Sequence, residues 1–118
     1  MFKANNRMIM LSQGDTGILR FEVKGTSLTS KDRAVLTVKN GKGATVIRKI
    51  AQPQKFDEIM IPFVNGDTEN LPVGSYEWDI RVVIDAKFDN KGDVVDGQAI
   101  VTPYPPGVLT IVKVVGSV

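Results

Sequence analysis

The stretch Leu71-Pro72-Val73-Gly74-Ser75-Tyr76-Glu77-Trp78-Asp79-Ile80-Arg81-Val82-Val83-Ile84-Asp85 decides the fold. Tyr76, Trp78, Ile80, Val82 and Ile84 alternate with Glu77, Asp79, Arg81 and Asp85. Successive side chains on a strand point to opposite faces, so this period of two describes a ribbon with one apolar and one charged face. It is the longest such run in the chain, which places it at the centre of a sheet. The lead-in has the layout of a tyrosine corner. There the Tyr hydroxyl bonds back to the backbone a few residues upstream and pins a crossover between sheets. In this reading Leu71 plugs the end of the core, Gly74 permits the sharp turn, and the Tyr76 ring fills the core edge while its hydroxyl finds an acceptor. Trp78, two residues on, is expected at the centre of the core.

Outward from this ribbon the same period recurs. Leu19, Phe21 and Val23 alternate with Arg20, Glu22 and Lys24, and Ala34, Leu36 and Val38 alternate with Thr37 and Lys39. Thr45 to Ala51 forms a further strand whose face is ambiguous, with Val46 and Ile50 set against Ile47 and Lys49. Ile59, Ile61 and Phe63 make another, and Pro62 assigns it to an edge or a strand end because proline lacks a backbone donor. Gln98 to Thr102, Val108 to Val115 and a short opening run Met8 to Ser12 complete the set. Asn40-Gly41-Lys42-Gly43 and Asp89-Asn90-Lys91-Gly92 have the residues of tight hairpins. Asn65-Gly66-Asp67 closes the strand that carries Pro62. Tyr104-Pro105-Pro106-Gly107 is read either as a hinge or as a crossing between sheets. No window shows a period of 3.6, so no long helix is predicted, only a single turn near Asp67–Leu71. Short strands separated by such turns, together with the corner, predict one all-β domain over residues 1–118. The expected fold is an immunoglobulin-like antiparallel β-sandwich of seven or eight strands.

Composition narrows the chemistry. The chain has 118 residues, 42% of them hydrophobic, and neither Cys nor His. Disulfides, thiolate or imidazole metal sites, and nucleophilic triads built on His are thereby excluded. No apolar run is long enough to span a bilayer as a helix, and Met8–Leu11 is too short for a signal peptide. The expectation is a soluble, compact domain made inside the cell. The formal net charge of +2 hides an asymmetry. Residues 1–56 carry 11 basic and 3 acidic side chains, a net +8, and residues 57–118 carry 4 and 10, a net −6. Interleaved strands from the two halves would mix these charges.

Several clusters invite a functional reading. Asp85, Asp89, Asn90, Asp93 and Asp96 crowd the second hairpin, but their order does not match a calcium loop and Lys91 sits among them, so a solvated acidic hairpin is expected rather than a cation site. Glu77 and Asp79 share one strand face roughly 7 Å apart, and Asp57-Glu58 is a second carboxylate pair. Solvent-facing charge is the expected role of both rather than glycoside hydrolysis. Lys31, Arg33, Lys39, Lys42, Arg48, Lys49 and Lys55 lack the interleaved aromatics that nucleic-acid stacking needs, and edge lysines that block aggregation fit them better. Gly14-Asp15-Thr16-Gly17 lacks the Lys and helix of a phosphate loop, and its echo of the aspartic-protease Asp-Thr-Gly has no second copy. Asp15 and Thr16 are expected to order a turn. The last strand is apolar on both faces, so Val108, Val112 and Val114 are interface candidates unless the N-terminal segment covers them.

Gly14-Asp15-Thr16-Gly17 followed by Leu19-Arg20-Phe21-Glu22-Val23, and later Leu71 through Arg81, resembles β-sandwich domains associated with phage tails and baseplates. Among these it is most similar to the N-terminal domain of the phage baseplate upper protein family of Gram-positive hosts. Those domains also open on Gly-Asp-Thr and carry a Gly-x-Tyr-x-aromatic-Asp-Ile segment. Proteins of that type usually continue into further domains, whereas this sequence stops at Val118. The resemblance implies a non-enzymatic structural or assembly module of a bacteriophage or prophage virion. It would be made in the bacterial cytoplasm and would pack against other phage structural proteins and copies of itself. No cofactor, metal, small-molecule substrate, nucleic acid or membrane is expected. The alternative is a carbohydrate-binding-like module, which would need exposed aromatics in an array. Phe21, Phe63, Tyr76 and Trp78 are assigned to the core, leaving Phe2, Phe56, Phe88 and Tyr104.

Overall fold

The computed structural model describes residues 2–25 and 27–113, with the backbone alone for 100–105. It is an all-β sandwich. Eight strands occur among the described residues: β1 (Phe2–Asn5), β2 (Met8–Ser12), β3 (Gly17–Glu22), β4 (Arg33–Lys39), β5 (Thr45–Ala51), β6 (Glu58–Phe63), β7 (Gly74–Phe88) and β8 (Val94–Val112). One sheet has six strands in the order β1-β2-β8-β7-β4-β5, and the other pairs β3 with β6. The short helix α1 (Asn65–Thr68) starts two residues earlier than the turn expected from the sequence. Between the sheets lies a core that includes Ile9, Leu36, Ile59, Phe63, Trp78 and Leu109.

β7 lies between β8 and β4, as the length of its alternation implied. Tyr76, Trp78, Ile80 and Val82 point into the core. The Tyr76 hydroxyl donates to the Pro72 carbonyl at 2.6 Å, the bond a tyrosine corner requires. Leu71 is half-buried against the core. Gly74 has φ +149, a conformation that a side chain would strain. The two hairpins share one device. Asn40 Oδ1 accepts the N–H groups of Lys42 and Ala44, and Asp89 Oδ1 accepts those of Lys91 and Asp93.

Three features depart from the sequence reading. First, the sandwich is not wholly antiparallel, because β2 and β8 pair in parallel from Met8↔Val108 to Ser12↔Val112. Hairpin neighbours are forced to run antiparallel, but strands from opposite ends of the chain are free of that constraint. β2 also follows β1, a strand that the sequence did not announce. Second, the two C-terminal strands are one strand, β8. Gly107 pairs with Trp78 and Thr102 with Ile80, so residues 103–106 stand opposite Asp79 alone. Pro103, Pro105 and Pro106 fall in this bulge, where missing donors break no regular ladder. Third, the ambiguous face of β5 is resolved in favour of Ile47, which is buried, and Lys49, which lies beside it at the rim. Lys49 Nζ bonds Asp67 Oδ2 at 2.6 Å and sits 5.7 Å from the centre of the Phe63 ring.

Trp78 is buried through close contact. Its indole N–H donates to the Arg7 carbonyl at 3.2 Å, and the Val108 N–H donates to the same oxygen at 2.8 Å. A β-carbon on Gly107 would fall 2.4 Å from both that carbonyl and the indole nitrogen. Gly107→Ala is therefore expected to lower the unfolding free energy by about 1–3 kcal/mol through overpacking. Tyr76→Phe, which loses one hydrogen bond without changing the ring, should cost about 1 kcal/mol. Urea melts of the two variants check both values and their order.

Candidate functional site

The expected interface residues belong to the outward face of the six-stranded sheet. Leu109 and Ile111 point into the core, so Val108, Thr110 and Val112 alternate outward. β2 repeats the pattern, with Ile9 and Leu11 inward and Met8 and Met10 outward. Parallel pairing sets Met8 directly beside Val108 and Met10 beside Thr110. Met8 is 54% exposed and Val108 47%, so the N-terminal segment flanks this strip without covering it. Val112 is half-buried in the same row. Val114 lies outside the described residues. Glu77 and Ser75 of β7 and Lys3 and Asn5 of β1 border the strip in the sheet register.

The other clusters resolve into structural roles. Asp89 orders its own hairpin, Asp85 pairs with Lys87 at 3.2 Å, Asp93 pairs with Arg48, and Asp96 accepts the Gly97 N–H. The basic set is divided: Arg48 reaches Asp93, Lys49 reaches Asp67, and the Arg33 guanidinium lies 5.0 Å over the Phe88 ring. Arg48–Asp93 and Lys49–Asp67 join the positive and negative halves of the chain, so the charge asymmetry is mixed by folding. In Gly14-Asp15-Thr16-Gly17 the Asp15 carboxylate accepts the Ser12 N–H at 2.9 Å, as expected of a turn. Of the four aromatics assigned outside the core, Phe2 is corrected. Its ring is half-buried, 5.3 Å from that of Phe63, because the unannounced β1 carries it to the rim of the core. Phe56 is exposed at the turn before β6, and the Tyr104 side chain lies outside the described residues.

A groove of about 370 Å³ runs along the same outer face under the β7–β8 ribbon, lined among others by Val35, Arg48, Asp79, Arg81, Val83 and Val94. Its charged lining carries both signs, and the Arg48–Asp93 pair ties the ribbon tip to β5 beside it.

Sequence reasoning missed Asp32, a buried carboxylate. Oδ2 accepts the Thr29 N–H at 2.7 Å and Oδ1 accepts the Asp85 N–H at 2.9 Å. Asp85 has φ +52, and the Ala86 N–H turns to the Lys31 carbonyl at 2.9 Å. Asp32 thus fastens the loop before β4 to an irregular point of β7. The Thr29-x-x-Asp32 spacing was the available signal, since such pairs make local side-chain-to-backbone turns. The cross-chain bond to Asp85 had no local signature. Compared with known proteins, the chain matches no family model, no curated protein and no solved structure.

Asp32→Ala strands two amides and is expected to cost about 2–3 kcal/mol. Hydrogen exchange should speed up at Thr29 and Asp85 while the β7–β8 ladder around Tyr76 and Trp78 keeps its protection.

Proposed function

We propose that this protein is a non-enzymatic assembly module of a bacteriophage or prophage particle, belonging to its tail or baseplate. The observation that carries the reading is the apolar strip of Met8 and Val108 on an outward sheet face, continued by Met10 and Val112. Solvent-facing positions of a sheet are ordinarily polar, and a contiguous apolar row is what a partner surface covers. Burying a half-exposed Met or Val against a neighbouring subunit contributes about 1 kcal/mol each. The virion setting rests on the resemblance carried by Gly14–Gly17 and Leu71–Arg81. A packing role also suits the carboxylates, which are bonded to turn amides and to basic side chains. A domain of this kind acts as a rigid block, and its partner is another structural subunit of the same particle.

Mass spectrometry of particles purified from the source bacterium tests this reading. The chain is expected at a fixed copy number relative to the other structural proteins. Val108→Lys, a change at an exposed position whose ladder partner is Glu77, should keep the circular dichroism spectrum and melting temperature of the parent but be depleted from particles at least tenfold. Particles without the chain, or with the variant at parental copy number, would overturn the proposal.

A further inference from the structure

The narrow sheet has one edge that no described residue pairs with. In its register Gly17 pairs with Phe63, Ile18 with Pro62, Leu19 with Ile61, Arg20 with Met60, Phe21 with Ile59 and Glu22 with Glu58. The Val23 N–H continues the ladder to the Asp57 carbonyl at 2.8 Å. The odd-numbered residues of β3 therefore make its bonds to β6, since hydrogen-bonded pairs alternate in an antiparallel ladder. Pro62, which has no donor, agrees with this phase because it falls in a pair that needs none. The N–H and C=O groups of Ile18, Arg20 and Glu22 consequently point to the opposite edge, where no backbone partner occurs among the described residues.

The remaining edges are guarded. β6 loses a donor at Pro62, and its Glu58 backbone is taken up by Gln54 and Lys55. β5 carries Arg48 and Lys49, and β1 has only four residues. Charge, proline, covering turns and shortness are the devices that keep edges from pairing. β3 has six regular residues, no proline and no bulge, and Ile18 is 49% exposed beside it. Its two charges, Arg20 and Glu22, have opposite signs, so unlike the like-signed Arg48 and Lys49 of β5 they can complement a partner strand.

We infer that the β3 edge pairs with β3 of a second copy of this chain, antiparallel, about a two-fold axis at Phe21. The charges select this occupant and this register. With the axis at Phe21, Arg20 of each copy stands opposite Glu22 of the other, in two hydrogen-bonded rungs that use the free groups identified above. Moving the axis to Arg20 would set two arginines opposite each other, and moving it to Leu19 would leave both charges unmatched. Arg20 and Glu22 are both exposed, so neither has to be uncovered for the contact to form. The half-buried Phe21 rings meet across the axis on the inner face. The product is a four-stranded sheet, β6-β3-β3-β6, shared between two molecules. This contact is separate from the Val108 strip and does not depend on it.

Sedimentation of the full chain at concentrations up to roughly 1 mM tests the inference, since a contact this small belongs among weak interfaces. A monomer–dimer equilibrium is expected. Arg20→Glu and Glu22→Arg should each raise the dimer dissociation constant roughly tenfold by placing like charges opposite, and the double variant should restore it. Arg20→Pro, which removes an edge-facing donor and none facing β6, should abolish the dimer with the spectrum of the folded protein intact. Val108→Lys should leave it unchanged. A strictly monomeric parent, a dimer indifferent to Arg20→Pro, or a double variant no tighter than the singles would overturn the inference.

Discussion

The carbonyl oxygen of Arg7 joins the beginning, middle and end of the chain. It accepts the indole N–H of Trp78 from β7 and the backbone N–H of Val108 from β8. A buried indole left without an acceptor would cost on the order of 1–3 kcal/mol. The core that Trp78 fills therefore demands that the N-terminal segment be brought beside the last strand. From there β2 joins β8 as a parallel neighbour, and Gly107 must lack a side chain for the ring to approach. At this junction β1 and β2 join the rest of the six-stranded sheet.

Around it the polar groups are spent on structure. Among the described residues no buried side-chain nitrogen or oxygen lacks a partner. Asn40 and Asp89 order the two hairpins by the same pair of bonds, and Asp32 uses both carboxylate oxygens to hold a loop to β7. Fully satisfied polar groups rigidify a fold, because any movement would expose an unpaired donor or acceptor in a medium of low dielectric. Rigidity of this kind suits a component that transmits contacts.

The interest of the molecule then moves to its outside. An apolar strip lies on the broad sheet, and an unguarded edge lies on the narrow one. A partner at each would be held by different physics. The strip gains from removing apolar surface from water and is indifferent to direction. The edge gains from backbone hydrogen bonds, which demand one direction and one register. Under the two proposals the broad sheet would act as a nonspecific adhesive and the narrow one as a geometric key.

The half-buried strands were legible in the residues from Met8 to Ile84 because alternation is a local property, set by the pleat alone. The tyrosine-corner layout and both Gly-containing hairpins were legible for the same reason: their bonds close within a few residues. Val108 and Val112 could be singled out as apolar residues with no inward place. Beyond this reach, pairing between distant segments decided the outcome. The parallel partnership of β2 and β8, the bulge at residues 103–106, the inward placing of Lys49 and the latch from Asp32 to Asp85 each join positions far apart in the chain. Local patterns carry no record of which distant strand will supply the missing neighbour, so only the assembled sheets, with every buried group seeking its partner, could settle them.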